Sequence, residues 1–451
     1  MPDPAASNAS PDILPDLVAA ALRAGADAAE AVSAERAALS VGVRNGALED
    51  VEREESRDLG LRVFIGRRQA TVSASDLSDA TRARLVERAV AMARLAPEDP
   101  YAALAPQDRL ARGPFPDLDL YDPSAQSAAQ LEAAAAETEA AAMAVEGVAR
   151  SEGGHASAST SHWRLVTSHG FDGAYQGSAF SLGVGVIAEK DGAMERGGEH
   201  RSVRHLSDLP SAASIGDYAG RRAVARTGPR KIASITAPVI FENRVATQVL
   251  SPLLGAISGP AIARGTSFLK DRLGQRVLPA GVALIDDPFR PRGHGSTPFD
   301  DEGVAVSRQS IIDDGVLNTW LLNSAAATQL GLASTGHASR GLAGPPGVST
   351  HNLHLEPGTA DLAGLMVEAG TGLLVTSMFG PSLNANTGDW SAGVSGFWFE
   401  NGQIAYPVSE VTVAGKLTEL WARMQPGSDL EFRSSFNSPS LMFDGVAIAG
   451  K

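Results

Sequence analysis

The side chains able to do chemistry fall into a few dense groups. Carboxylates cluster at Asp286-Asp287-Pro288 and at Phe299-Asp300-Asp301-Glu302-Gly303. Two or three carboxylates within reach of one another can hold a divalent cation, or divide acid and base roles by splitting their pKa values. The same residues can serve turns instead, because Asp before Pro or Gly bonds its own backbone two residues on. His351, His354 and Glu356 offer the imidazole and carboxylate donors that zinc or iron takes. On a strand, His354 and Glu356 share a face and His351 points the other way, so the spacing predicts a polar strand edge rather than a local ligand set. Glu199-His200 and His205 form no metal motif either: a zinc-binding helix needs H-E-x-x-H or a close variant, and the chain contains no His-Glu dipeptide.

Other reaction classes lack their residues. The chain has no Cys, which removes disulfides, thiolate zinc sites, iron–sulfur clusters and Cys nucleophiles together. No G-x-S-x-G elbow marks a hydrolase serine and no GxxxxGK[ST] marks a phosphate cradle. Gly183-Val184-Gly185-Val186-Ile187-Ala188 resembles a dinucleotide fingerprint as a string, but it lies in an alternating stretch ending at Asp191-Gly192, the pattern of a strand and hairpin. With 52 Asp+Glu against 38 Lys+Arg, the net charge of −14 gives no electrostatic footprint for nucleic acid or an anionic membrane.

Three further segments are dense in glycine and polar residues: Gly265-Thr266-Ser267-Phe268-Leu269-Lys270, Asn386-Thr387-Gly388-Asp389-Trp390-Ser391 and Gly393–Gly402. If adjacent, they would bring exposed backbone and aromatic rings together, which is what an extended peptide needs in order to add as a strand. Tight Gly-rich core turns are the alternative.

The elements that must position these groups are legible in outline. Residues 12–24 have a 3.6-residue apolar period and predict a short amphipathic helix. Leu39, Val41 and Val43 alternate up to Asn45-Gly46, a hairpin turn, and Leu48 to Ser56 returns. Further strands are expected through Leu61–Ile65 and Gln69–Ser75, then a helix capped by Asp76 or Ser78 and ending before Pro97. Residues 97–123 read as a Pro- and Asp-rich linker, residues 124–147 as an Ala/Glu-rich helix, and the texture beyond is mostly β. The expected fold is α+β and multi-domain: an N-terminal α+β domain with antiparallel strands (1–97), a linker and mixed α/β middle domain (98–229) and a β-rich C-terminal domain (230–451). At 43% hydrophobic and 20% charged the composition is globular. The first residues have no basic and apolar leader pattern, and the longest uncharged stretches are broken by Pro, Gly, Asn and Ser, so the expectation is a cytoplasmic protein with no membrane span.

The string Gly265-Thr266-Ser267-Phe268-Leu269-Lys270-Asp271-Arg272-Leu273-Gly274-Gln275, followed by Ile285-Asp286-Asp287-Pro288, Phe299–Gly303, Ser334-Thr335-Gly336 and Asn386–Ser391, resembles the TldD/PmbA family, and its PmbA (TldE) branch in particular. The match is dense over roughly residues 238–450 and looser before them. The resemblance implies a heteromeric zinc peptidase acting on unfolded or modified peptides, in which a TldD-type partner subunit carries zinc on an H-E-x-x-x-H helix with a later Cys. Aligning that motif through the shared downstream residues puts Ser251 and Pro252 at the His-Glu and Ala256 at the second His. None of these is a useful zinc ligand. The resemblance therefore implies a subunit with no metal or catalytic residue of its own, an enzyme only at the level of the complex. Thr266, Ser267, Asp301, Glu302, Thr387, Asp389 and Ser391 are the candidate peptide- or partner-binding residues. Two alternatives stand beside this: an autonomous hydrolase built on Asp286, Asp287, Asp300, Asp301 and Glu302, or a homodimeric peptide-binding module.

Overall fold

The computed structural model describes residues 13–451. Helix α1, Ile13–Arg23, buries Leu14, Leu17, Val18 and Ala21. Asp12, expected at its start, and the residues that bear on a leader lie outside the described residues. Strands β1 (Ala28–Arg44) and β2 (Ala47–Ile65) turn through Asn45 and Gly46, both at positive φ as the hairpin dipeptide requires. Strand β3 (Arg68–Ala74) follows, then helix α2 (Asp79–Leu95), whose first turn is capped by Ser78 Oγ accepting from Thr81 N at 3.3 Å. Helix α3 (Ala128–Met143) opens with a reciprocal capping box between Ser127 and Gln130.

Strands β4 (Val148–Thr167), β5 (Asp172–Lys190) and β6 (Ala193–Val203) complete one antiparallel sheet, ordered β3-β2-β1-β4-β5-β6. The GVGVIA string lies within β5, and Asp191-Gly192 makes the turn, both residues at positive φ. Because β1 pairs with β4, the strands before and after the 97–123 segment form a single surface. That segment is irregular but held: Leu118 and Leu120 are buried, and Ala111 N donates to Gly303 O at 2.8 Å.

Helix α4 (Ala212–Ala225) was not legible in the sequence. Its buried face is Ala212, Ile215, Gly216, Ala219, Gly220 and Ala223, in which Ile215 alone is a large apolar residue. It needs small residues because it lies against α3: a Cβ on Gly216 would stand 2.2 Å from Thr138 O.

The remainder is β-rich. Strand β7 (Ile235–Phe241) leads into helix α5 (Asn243–Ala256). A mixed sheet is built from β8 (Leu284–Asp286), β9 (Gln309–Asp313), β10 (Val316–Leu317), β13 (Leu353–Leu355) and β18 (Phe436–Asn437). Between them, β11 (Ala338–Ser339) and β12 (Gly347–Val348) form a separate two-stranded pair. The larger sheet contains β14 (Gly372–Leu383), β15 (Asp389–Glu400), β16 (Gln403–Lys416), β17 (Met424–Pro426) and β19 (Leu441–Ala449) together with β7. Pairing of β16 with β19 closes β7, β14, β15, β16 and β19 into a ring.

A buried ion network ties the first sheet to the C-terminal region. Glu30 on β1 accepts from Arg62 on β2 at 3.2 Å and from Arg340, and all three side chains are buried. No helix among the described residues is long and apolar enough to cross a membrane.

Candidate functional site

Helix α5 is where the family resemblance would place a metal. Val245, Ala246, Val249, Leu250, Leu253 and Ala256 are buried in the principal C-terminal core, and Trp421 Nε1 donates to Val249 O at 3.2 Å. Ser251 is exposed, with its hydroxyl turned back to Thr247 O at 2.8 Å. Pro252 sits inside the helix and has no amide to give, and Ala256 is 5% exposed against the core. A hydroxyl spent on its own helix, an imide nitrogen and a methyl do not make a zinc ligand set.

The candidate residues around α5 divide into two kinds. Ser267 is buried, donating to Ala256 O at 2.6 Å and accepting from Leu269 N at 2.9 Å, so it closes the end of α5 instead of facing a ligand. Thr266, Thr387 and Asp389 are exposed, and Thr387 Oγ1 bonds Asp389 Oδ2 at 2.6 Å. The segments that carry them do meet: Phe268 N donates to Ala385 O at 3.2 Å and the Phe268 ring lies 5.9 Å from Trp421. Ser391 and the Gly393–Glu400 stretch belong to β15, which is paired on both sides by β14 and β16. The backbone expected to be open for strand addition is therefore already used.

The acidic groups are absorbed separately. Asp300 Oδ1 accepts from Glu302 N and Val304 N, and Oδ2 from Ala338 N. Burial, and then the nearby Glu302, push its carboxyl up. Glu302 is buried and accepts from Ser324 N at 2.8 Å, at the start of the short helix Ser324–Leu330. Asp301 accepts from Arg340 N at 2.8 Å, and burial raises its carboxyl to about 6. Asp300 thus caps its own turn, whereas Asp301 and Glu302 accept from distant backbone amides, and Glu302 is buried. Asp287 accepts from Phe289 N in the following turn.

Asp286 does something the local spacing did not predict. Register pairing of β8 with β13 places Asp286 opposite Leu353, which brings His351 beside it. Asp286 Oδ2 accepts from His351 Nδ1 at 2.7 Å and from His337 Nε2 at 3.0 Å, while Oδ1 accepts from His351 N at 2.9 Å. Thr335 Oγ1 lies 2.8 Å from His337 Nδ1 on the far side of the ring. Burial would raise the Asp286 carboxyl, but the two imidazoles outweigh it and hold it at about 2. Asp286 and His351 both stood out in the sequence, whereas His337 did not, and only the sheet pairing joins them. His354 instead faces Glu356, its Nε2 3.6 Å from Oε1.

Asp286, His337 and His351 are the one group among the described residues whose ligand atoms lie within 4.8 Å of one another. The donor types suit zinc or iron. A catalytic ion also needs an open position for water or substrate. Here Asp286 and His337 are fully buried and His351 is 6% exposed, and the carboxylate oxygens are already occupied by three donors. The arrangement is a hydrogen-bonded hub joining three distant segments.

Residues 29–93, 121–227 and 234–450 match, in order, domain 1, the central domain and the C-terminal domain of the PmbA/TldA metallopeptidases. The chain is 38% identical over 444 residues to the metalloprotease PmbA of Escherichia coli O157:H7, covering 97% of this chain and 96% of that one. A Bacteroides thetaiotaomicron crystal structure described as a candidate modulator of DNA gyrase superposes with a TM-score of 0.90 at 27% identity, covering 97% and 98% of the two chains. TldE from Thermococcus kodakarensis, at 21% identity, shares the fold with a TM-score of 0.85 over 97% and 99%. The chain belongs to the PmbA/TldD family, on its PmbA (TldE) branch.

Proposed function

We propose that this chain is the non-catalytic subunit of a TldD/TldE-type metallopeptidase, pairing with a zinc-bearing TldD-like partner and helping to hold an extended peptide for cleavage. The observation that carries the reading is helix α5. It keeps the apolar face that a ligand-bearing helix would use for packing, and Ser251, Pro252 and Ala256 stand where the ligands would be. Without such ligands there is no Lewis acid and no lowered water pKa at that position, so the zinc chemistry belongs to the partner.

Purified chain should contain no stoichiometric zinc and cleave no unfolded peptide, and peptidase activity should appear on adding a TldD-like subunit. Cleavage by the chain alone, surviving removal of the partner, would overturn the proposal. A second reading rests on the Asp286–His337–His351 group: a metal-dependent activity carried by this chain. It requires bound metal in the isolated protein, lost in Asp286→Asn together with activity, so elemental analysis of the same sample separates the two.

A further inference from the structure

A cavity of about 330 Å³ opens between the end of β6 and the loops around residues 290–294 and 432–434. Its charged lining is Arg201, Arg204, Arg290, Arg292 and Arg433 against a single acid, Asp208. Three of the guanidiniums have carboxylates. Arg292 bonds both oxygens of Asp208 at 3.0 Å and Asp119 at 2.6 Å, while Arg201 and Arg433 engage Glu431 and Glu199.

The other two have none. Arg290 Cζ lies over the Phe432 ring, 3.3 Å from its centroid, and its guanidinium makes no hydrogen bond or ion pair among the described residues. Arg204 is held by two backbone carbonyls, Ser178 O at 3.1 Å and His294 O at 2.7 Å, and its buried Nε has no partner. Burial depresses both guanidiniums, and the more distant Asp287 and Tyr175 offset it only in part. A desolvated donor left unpaired is costly, and a planar guanidinium fixed on an aromatic ring is preorganised for bidentate capture of a carboxylate.

We infer that this cavity binds the C-terminal carboxylate of a peptide, with Arg290 as its principal contact and Arg204 beside it. The volume exceeds what a bare oxyanion fills, and Phe432, Pro210 and Pro291 supply an apolar wall for the terminal side chain. Strand β6 is the outer strand of its sheet and, among the described residues, pairs with β5 alone, so its free edge near Arg201–Val203, which line the cavity, is where an extended chain would add. The inference rests on the peptide-handling role proposed above and names the end of the peptide that this chain recognises.

The test is binding to the isolated full chain. An amino-terminally fluorescein-labelled peptide of small apolar residues is compared with its C-terminal amide by fluorescence anisotropy. The free acid should bind at least about tenfold more tightly, as a charge-assisted bidentate contact implies. Arg290→Gln should reduce that ratio to about one without shifting the melting temperature. Equal binding of acid and amide overturns the inference, as does discrimination that survives in Arg290→Gln. So does an amide peptide with an internal Glu that binds as tightly as the acid, since the cavity would then read acidic side chains. Inorganic phosphate displacing the acid peptide while acetate fails to would make it a phosphate site instead. The assay uses neither partner nor cleavage, so its failure leaves partner-dependent proteolysis standing, and failed reconstitution leaves the binding result standing.

Discussion

Asp286 and Arg290 are neighbours along the chain, yet the two regions they belong to treat buried charge in opposite ways. Around Asp286 every oxygen is met: two imidazoles and a backbone amide converge on one buried carboxylate. Around Arg290 and Arg204 the guanidiniums are partly desolvated, short of acids, and face a cavity. A buried charge has to find its counter-charge somewhere. Where the fold provides it, the charge holds segments together. Where the fold leaves space instead, the missing partner is a ligand. The Glu30–Arg62–Arg340 network belongs with the first kind, since it joins β1 and β2 to the C-terminal region.

The sharpest way to break this contrast is Glu30→Ala, which removes the carboxylate shared by two buried guanidiniums, Arg340 and an Arg62 that keeps only the neutral Gln69 Oε1. A loss of about 3–5 kcal/mol in unfolding free energy is expected, read from urea denaturation. A loss below about 1 kcal/mol would mean that the satisfied networks are as dispensable as the open one. Asp286→Asn comes next, at roughly 2–3 kcal/mol near neutral pH. The folded carboxyl is held at about 2, below the ordinary 3.8. Its stabilisation is therefore present above pH 4 and fades as pH falls toward 2. Wild type and variant should converge over that interval in pH-dependent melts.

Asp301→Asn has the opposite sign. Burial raises this carboxyl to about 6, so the wild-type protein loses stability as pH rises from about 4 through 6. The amide oxygen of Asn can still accept from Arg340 N, and the variant should be more stable by about 1–3 kcal/mol at pH 7 with a flatter profile between those values. The smallest effect sharpens the other side: Arg290→Gln removes only a ring contact and should change stability by less than about 1 kcal/mol. A larger loss would place Arg290 among the structural ions and remove the contrast.

Much of the local structure was legible. Asn45-Gly46 marked its hairpin because few dipeptides tolerate positive φ twice, and Ser78 marked a helix start by its hydroxyl. Helix α4 was missed because its contact face is mostly alanine and glycine around Ile215, and the value of those small residues lies in permitting approach to α3. The TldD/PmbA resemblance singled out segments without fixing which of their side chains face inward. Ser267 and Glu302 turned out to be buried, and β15 to be paired on both edges.

What the sequence determined by itself was therefore whatever depends on residue type and short spacing: the absence of thiol chemistry, the turns and caps, the apolar helix without ligands, and family membership through dense local strings. What only the tertiary structure decided was which distant charges meet. Asp286 lies 51 and 65 residues before His337 and His351; the pairing of β8 with β13 brings His351 to it, and His337 reaches the same oxygen from the segment just before β11. Arg204, Arg290 and Phe432 likewise come from three separate segments. Coulomb and hydrogen-bond energies depend on distance in space and on local burial, neither of which is written in the order of residues.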